Sequence, residues 1–296
     1  MRYVEPIFRP GPTEGNSYLL QVTIGCAHNK CTFCSFFKDK PFHTRPLEEI
    51  KEDLRMARQY YPYDPPVFLI DGDATCYTMD KLRPILQEIR KTFPNSPHTN
   101  MYARFGDIYK RYTVEDLREM HEELNVKFLY MGMESGSDKV LSDIKKGVTQ
   151  AEMLEAADRM NKAGIPYNGG VILGLGGIKD SDEHIRESIK VINQMRPVSI
   201  GTTMLSLQPG TPLYEDYRNG KFELPTYRDI LREERTLIEG IDKGLEIDVW
   251  TGGFLPGSNF IRGQFPEDRD KVLRAISQRR ITNLLLDQKI MIGGGL

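Results

Sequence analysis

The chain has 296 residues, 39% of them hydrophobic, and 40 Lys and Arg against 42 Asp and Glu give a formal charge of −2. That length suits one large domain or a barrel-like core with an extension, and the interspersed charges form no basic stripe that would support a nucleic-acid partner. Four cysteines, no signal peptide and no apolar run long enough to span a bilayer lead us to expect a reducing, cytoplasmic setting with no membrane role.

Residues 1–17, rich in Pro and Gly, read as an irregular arm. Tyr18 to Ile24 reads as a first strand that runs through Gly25 into Cys26-Ala27-His28-Asn29-Lys30-Cys31-Thr32-Phe33-Cys34. Pro46 opens a helix whose inner face is Leu47, Ile50, Leu54 and Ala57, ended by Tyr60-Tyr61-Pro62. Val67 to Ile70 is a buried strand that empties into Asp71-Gly72-Asp73-Ala74. Thr78 caps a helix with Leu82, Ile85 and Ile89 inward. Met101 to Ala103 forms a third strand ending at Arg104, and Thr113 caps a helix with Leu117 and Met120 inward. Val126 to Met131 is the fourth strand, followed by Gly132-Met133-Glu134-Ser135-Gly136-Ser137. A helix from about Ser137 to Lys146 stops at Gly147, and Thr149-Gln150-Ala151-Glu152 is a capping box for the next, which ends at Gly164. Tyr167 to Leu173 is a glycine-laced fifth strand leading to Gly174–Gly177. Ser181 or Asp182 opens a helix with Ile185, Ile189 and Ile192 inward, and Val198 to Leu207 is the sixth strand.

Six strand-helix units in series predict an α/β fold, an incomplete parallel (β/α)6 TIM-like barrel. The expected organisation is an arm over 1–17, a barrel core over 18–213 and a helical C-terminal extension over 214–296. In that extension Thr226 to Glu239 reads as an amphipathic helix, and Asp268 to Met291 contains another. Trp250 to Asn259, aromatic and glycine-rich, reads as an irregular loop able to lid the mouth, and Ile290 to Leu296 as a packed or frayed end. In a parallel barrel the loops after the strands' carboxyl ends line one mouth. The cysteine loop, the Asp71-Gly72-Asp73 turn, Arg104, the Glu134 turn and the Gly174 turn all fall in such loops.

Three thiols in one short loop form a soft-ligand set, suited to zinc or to an iron-sulfur cluster. Zinc would need a fourth ligand, for which His28 and His43 stand in range of sequence; a cubane held by three cysteines leaves one iron open. Cys76, the remaining thiol, is either a small buried residue or a hydrogen-atom donor beside the mouth.

The cysteine loop, with Phe33 directly before Cys34, resembles the cluster loop of the radical S-adenosylmethionine (radical SAM) superfamily, although four residues rather than the usual three separate the first two cysteines. The later motifs are similar to the same superfamily in the same order. Asp71-Gly72-Asp73 stands at its Gly-Gly-Glu turn, Met133-Glu134-Ser135 at its fourth-strand acidic position, and Gly170-Val171-Ile172-Leu173-Gly174 at its fifth-strand signature. Lys145-Lys146-Gly147-Val148-Thr149 and Pro209-Gly210-Thr211-Pro212-Leu213-Tyr214 resemble the branch that holds oxygen-independent coproporphyrinogen oxidase, the methylthiotransferases and the Elongator catalytic subunit.

The resemblance implies a 4Fe-4S cluster on Cys26, Cys31 and Cys34, and S-adenosylmethionine (SAM) as second cofactor. Asp71, Gly72 and Asp73 would receive its ammonium group, with Phe33 and Arg104 at the same mouth. Glu134, with Ser135 beside it, would meet the ribose, and Gly170, Ile172 and Gly174 the adenine. It further implies reductive cleavage of SAM to methionine and a 5′-deoxyadenosyl radical that abstracts hydrogen from a substrate, expected to be a small molecule. A one-electron reductant such as flavodoxin or ferredoxin and an anaerobic setting would serve that chemistry. One leftover cysteine cannot hold a second cubane, which disfavours sulfur insertion, and no cobalamin or RNA-binding appendage is expected in this length. A haem chaperone or a tRNA-modifying protein on the same fold is the alternative.

Overall fold

A computed structural model describes residues 2–252, 259–278 and 286–290. The chain folds into two compact units. The first comprises residues 1–29, 36–131 and 155–167; the second comprises 30–35, 132–154 and 168–296.

The first unit holds β1 (Tyr18–Gln21), β2 (Thr23–Ile24), β3 (His43–Thr44), α1 (Leu47–Tyr60), β4 (Val67–Ile70), α2 (Met79–Thr92), β5 (Thr99–Ala103), α3 (Phe105–Arg111), α4 (Val114–Glu122) and β6 (Val126–Glu134) through Met131. Strands β1, β4, β5 and β6 pair in that order, all parallel. The expected first strand is broken after Gln21. Arg45 Nη1 takes the Gln21 carbonyl at 2.7 Å, and the Arg45 N–H and Tyr77 hydroxyl take that of Val22 at 3.0 and 2.8 Å. With those acceptors engaged, the chain turns out of the sheet, and Thr23 and Ile24 pair antiparallel with Thr44 and His43 instead. Helix α3 was not anticipated, while Thr113 caps α4 through the reciprocal box with Asp116.

Period-two alternation and the register place Leu19, Gln21, Phe68, Asn100, Tyr102 and Tyr130 on one face of this sheet. Leu20, Leu69, Met101 and Leu129 face the other way and are buried. The arm lies across the first of these faces. Val4 N–H donates to Gln21 Oε1, the Tyr102 hydroxyl to the Arg9 carbonyl, and Asn100 Nδ2 and the Tyr130 hydroxyl to Glu14 Oε1 at 2.7 and 2.9 Å. Phe8 packs on Tyr102, with ring centroids 5.3 Å apart.

The second unit starts with the last residues of β6 and continues with α5 (Asp138–Asp143), α6 (Gln150–Ala163) up to Leu154, β7 (Asn168–Leu173), α7 (Ser181–Met195), β8 (Ser199–Met204), α8 (Pro212–Arg218), α9 (Tyr227–Gly240), β9 (Ile247–Thr251), β10 (Ile261–Phe265) and α10 (Arg269–Ser277). Pairing runs β6, β7, β8, β9 in parallel, with β10 antiparallel on β9. The fourth strand thus extends to Glu134, and α5 ends three residues before Lys146. Thr149 and Glu152 form the expected box at 3.2 and 2.8 Å.

The sequence did not suggest β9 or β10. Trp250 and Thr251, expected in an irregular lid, are strand residues, because Trp250 pairs with both Gly201 and Arg262. The rest of that loop, 253–258, and the expected helical stretch 279–285 and end 291–296, lie outside the described residues. The parallel α/β architecture holds through both units, and among the described residues no helix is long and apolar enough to cross a membrane.

Candidate functional site

In the first unit the exit of β4 is built around two fully buried carboxylates. Asp71 adopts the left-handed region at φ 74°, which for a residue other than glycine costs about 1 kcal/mol or more and persists only where neighbours enforce it. Here they do. Its Oδ2 accepts from Gln21 Nε2 at 3.0 Å and from the Gly25 N–H at 2.8 Å, and pairs with Lys40 Nζ at 2.7 Å. Asp71 therefore fixes the residue that precedes Cys26, while its Oδ1 meets no donor. Gly72 donates its N–H to the Gly25 carbonyl at 3.1 Å, and a Cβ on it would lie 2.5 Å from the Cys26 Cβ. Cys26 is laid directly on the β4 exit, and only glycine leaves room for it.

Asp73 caps the short turn Ala74–Cys76, with Oδ1 accepting from the Thr75 N–H at 2.9 Å and the Thr75 hydroxyl at 2.6 Å. Its Oδ2 meets no donor. Burial, and then the neighbouring Asp107, push its carboxyl well above the usual range. Arg104 turns its side chain to Asp107 at 3.0 Å and gives its backbone N–H to the Thr75 hydroxyl at 3.3 Å; Arg111 holds the other Asp107 oxygen at 3.1 Å. Burial, with Asp73 and Asp107 near, raises the Cys76 thiol, so it stays protonated at neutral pH.

In the second unit Thr32 is pinned on both sides, its N–H on the Ile144 carbonyl at 2.9 Å and its carbonyl on the Leu213 N–H at 3.0 Å. Cys31, Phe33 and Cys34 flank that anchor, each partly exposed. At the end of β6, Glu134 also takes a left-handed conformation, φ 64°, and its Oε1 pairs with Lys146 Nζ at 2.6 Å. A carboxylate so engaged still has acceptor capacity on its second oxygen.

Helix α7 organises the rest. His184 is fully buried, and burial lowers its pKa to about 4. Its Nε2 faces the Ile172 carbonyl at 3.1 Å and its Nδ1 the Ser135 hydroxyl at 2.8 Å. A carbonyl only accepts, so Nε2 carries the proton and Nδ1 accepts from Ser135, a tautomer assigned from the network. One neutral imidazole thus ties the β6 exit to β7. Ser137, the N-cap of α5, donates to Glu183 Oε1 at 2.6 Å, and the Ser188 hydroxyl accepts from the Gly136 N–H at 2.9 Å. On β7, Gly170 and Ile172 share the more open face while Val171 and Leu173 are buried. Gly174 turns the chain at φ 83°. Its N–H donates to Glu233 Oε2 of α9 at 2.6 Å, and the Ser181 hydroxyl donates to Glu233 Oε1 at 2.5 Å.

The first unit accordingly gathers Cys26, Asp71, Gly72, Asp73, Arg104 and Cys76. The second carries Glu134, Ser135, Gly170, Ile172 and Gly174 on the ends of β6 and β7, with Cys31, Phe33 and Cys34 on the loop held at Thr32. Lys40, Lys146, His184 and Glu233 were missed. The signal for His184 was present, since Ser181, His184 and Ser188 sit on the buried stripe of α7 with Val191 and Met195, and polar residues on a buried stripe need partners. His43 is exposed in β3, and among the described residues no three His, Cys, Asp or Glu side chains form a set around a single metal ion. The cysteines all remain thiols and partly accessible. Cys26, seated on a glycine that admits no side chain, and Cys31 and Cys34 beside the Thr32 anchor are accessible soft donors, of the class that iron-sulfur clusters take.

The sequence profile of the Radical SAM superfamily matches residues 20–192. Among curated proteins, the chain is 23% identical over 232 residues to the ribosomal protein uS12 methylthiotransferase RimO of Parabacteroides distasonis, a match covering 76% of this chain and 51% of that one. It is 25% identical over 209 residues to the threonylcarbamoyladenosine tRNA methylthiotransferase of Mus musculus, covering 66% and 34%. The chain thus spans between a third and about half the length of these relatives. Among solved structures, Elp3 of Methanocaldococcus infernus aligns with a TM-score of 0.52 at 14% identity, over 78% of this chain and 58% of that one. The radical S-adenosylmethionine methyltransferase TsrM of Kitasatospora setae, solved with cobalamin and a 4Fe-4S cluster, aligns at 0.53 and 17% identity, over 67% and 38%. At such identities the likeness is one of fold.

Proposed function

The chain belongs to the radical SAM superfamily, whose cofactors are a 4Fe-4S cluster and SAM, and we propose that it is an enzyme whose cluster is held by Cys26, Cys31 and Cys34. The seating of Cys26 against Gly72, with Gly25 fixed by Asp71, is the observation that carries this reading. Held by Cys26, Cys31 and Cys34, the cluster would supply the one-electron reduction by which SAM is cleaved to methionine and a radical able to take hydrogen from substrate.

The chain's own residues bind and orient. Asp73, with one buried oxygen lacking a donor, offers an acceptor to the ammonium group of SAM, and Gly72 leaves the backbone bare beside it. The second carboxylate oxygen of Glu134 offers an acceptor to ribose hydroxyls. Gly170, Ile172 and Gly174 supply a flat apolar edge suited to adenine. Arg104 is turned to Asp107, so its part is to orient that acid pair. Cys76, protonated at neutral pH, retains the hydrogen that a donor to a substrate radical needs. A one-electron reductant such as flavodoxin or ferredoxin completes the system.

The substrate we propose is a small molecule, because the charge of the chain is balanced and no basic stripe marks an RNA path. A second reading, in which RNA or a ribosomal protein is modified, is favoured by the names of the relatives. Anaerobic reconstitution should yield about four irons per chain and reductant-dependent 5′-deoxyadenosine, both lost on joint replacement of the three cysteines by Ala. Zinc in place of iron overturns the proposal. Transfer-RNA binding that falls steeply with added salt would transfer support to the second reading.

A further inference from the structure

Helix α9 lies in the C-terminal extension, yet one of its carboxylates is the acceptor for the turn that follows β7. Glu233 is 2% exposed. Its two oxygens take the Gly174 N–H at 2.6 Å and the Ser181 hydroxyl at 2.5 Å, so it bridges the exit of one strand and the first residue of the next helix. The turn itself presses under the extension: a Cβ on Gly174 would meet Ile230 Cδ1 at 2.8 Å, Pro225 Cγ at 3.0 Å and Ile290 Cδ1 at 3.4 Å. Three residues along α7, His184 holds the Ile172 carbonyl, two residues before Gly174. The neighbouring Glu234 is equally buried but points to a different element, accepting from the Thr251 hydroxyl of β9 at 2.5 Å.

We propose that Glu233 is the positioning residue that holds the β7 exit turn in the conformation SAM requires, so that the C-terminal extension and SAM binding are energetically coupled. This rests on the reading of Gly170, Ile172 and Gly174 as the adenine edge. A carboxylate accepts an N–H about twice as strongly as a neutral acceptor does, and a buried N–H left without an acceptor costs about 1–3 kcal/mol. Burial raises Glu233 to about 7, opposed first by the hydrogen bonds from Ser181 and Gly174 and then by Arg232, while Asp229 of the same helix adds to the rise. On the α7 side the titratable neighbour is His184, neutral above about 4. Lys179 and Asp180 follow the turn, and Asp180 is paired with Lys139 at 2.6 Å. Glu233 is thus a group at this turn whose charge changes near neutral pH.

The test uses cluster-loaded protein, without reductant, and SAM in anaerobic equilibrium dialysis from about pH 6 to about pH 8, the range that brackets the Glu233 titration. Wild-type binding should tighten as pH rises, and E233Q should bind without that pH dependence. E233A should weaken SAM binding by about tenfold and speed hydrogen exchange of the peptide spanning 170–178 in the cofactor-free protein. E234A, which loosens a buried tie of the same helix to β9, should lower the melting temperature and leave the SAM affinity unchanged. Equal SAM affinity in E233A and wild type, or equal weakening by E234A, overturns the proposal, and should E233A not fold, a wild-type pH profile that E233Q reproduces does the same. A wild-type chain that takes up its cluster but binds no SAM instead removes the proposed function on which the inference stands.

Discussion

Replacing Gly72 with Ala tests the seat of the cysteine loop. The added methyl carbon would stand 2.5 Å from the Cys26 Cβ, 2.7 Å from its Cα and 3.0 Å from the Gly25 carbonyl oxygen. Carbon atoms in contact prefer about 3.5–4.0 Å, so Cys26 or the β4 exit must retreat by about 1 Å. Neither yields easily. The Gly72 N–H is bonded to Gly25, the Gly25 N–H to Asp71, and Asp71 is buried against Lys40. Overpacking of this kind costs about 1–3 kcal/mol, and at roughly 2–4 °C per kcal/mol the G72A variant should melt roughly 2–12 °C below wild type. The larger effect should fall on the metal, because the displaced atoms belong to a proposed ligand. After anaerobic reconstitution, iron per chain and the visible absorbance of the cluster should both drop well below wild type, while G11A, whose methyl meets nothing within 4 Å, should match it. A G72A protein with unchanged melting and a full complement of iron would refute the seating of Cys26 on Gly72.

Asp71→Asn removes the carboxylate from Lys40, which is 4% exposed and 2.7 Å away; leaving that cation buried should cost about 3–5 kcal/mol by denaturant titration, and a smaller loss would mean that water reaches Lys40. For His184 the folded pKa of about 4 lies below the ordinary 6.5, so the unfolded chain binds the proton first. Roughly 3 kcal/mol of stability, present above 6.5, is lost as pH falls toward 4, and melting curves of H184L should lack that slope while starting from a lower value. H184Q, which retains a donor and an acceptor, should retain more stability than H184L. For Glu233 the sign reverses: the folded value of about 7 exceeds the ordinary 4.5, so stability is full below 4.5 and roughly 3 kcal/mol is lost as pH rises through 7. E233Q should melt with a shallower decline over that range, and an unchanged decline would place the titration elsewhere.

The strand-helix series was legible because each element's period is local: apolar residues recurring once per helical turn, and short apolar runs between turn residues, need no distant partner to be read, as Ile50, Leu54 and Ala57 of α1 demonstrate. The turns that follow β4, β6 and β7 were legible for the same reason, since turn residues stand directly after short apolar runs. What the sequence concealed depends on remote groups. Gln21 and Val22 look like uninterrupted strand, and only Arg45 and Tyr77, brought in from elsewhere, claim their carbonyls. Ile247 to Thr251 is short, and the glycines after it suggested a loop; its pairing with Gly201 and with β10 made it a strand. Likewise His184 finds Ser135 from 49 residues away, and Glu233 finds Gly174 from 59. Polar burial of that kind is decided by tertiary partners and leaves only a faint mark, a polar residue on an apolar stripe.

The arm over the first sheet has a consequence for the order of assembly. Glu14 is bonded to Asn100 and Tyr130, 86 and 116 positions later, and Arg9 to Tyr102, 93 positions later. Contacts closing loops of that size form slowly, and on the ribosome the partners of residues 9–14 emerge only after more than eighty further residues have been made. The arm is therefore among the last segments to dock, although it is made before its partners, and until it does, Asn100, Tyr102 and Tyr130 lack the groups that bond them.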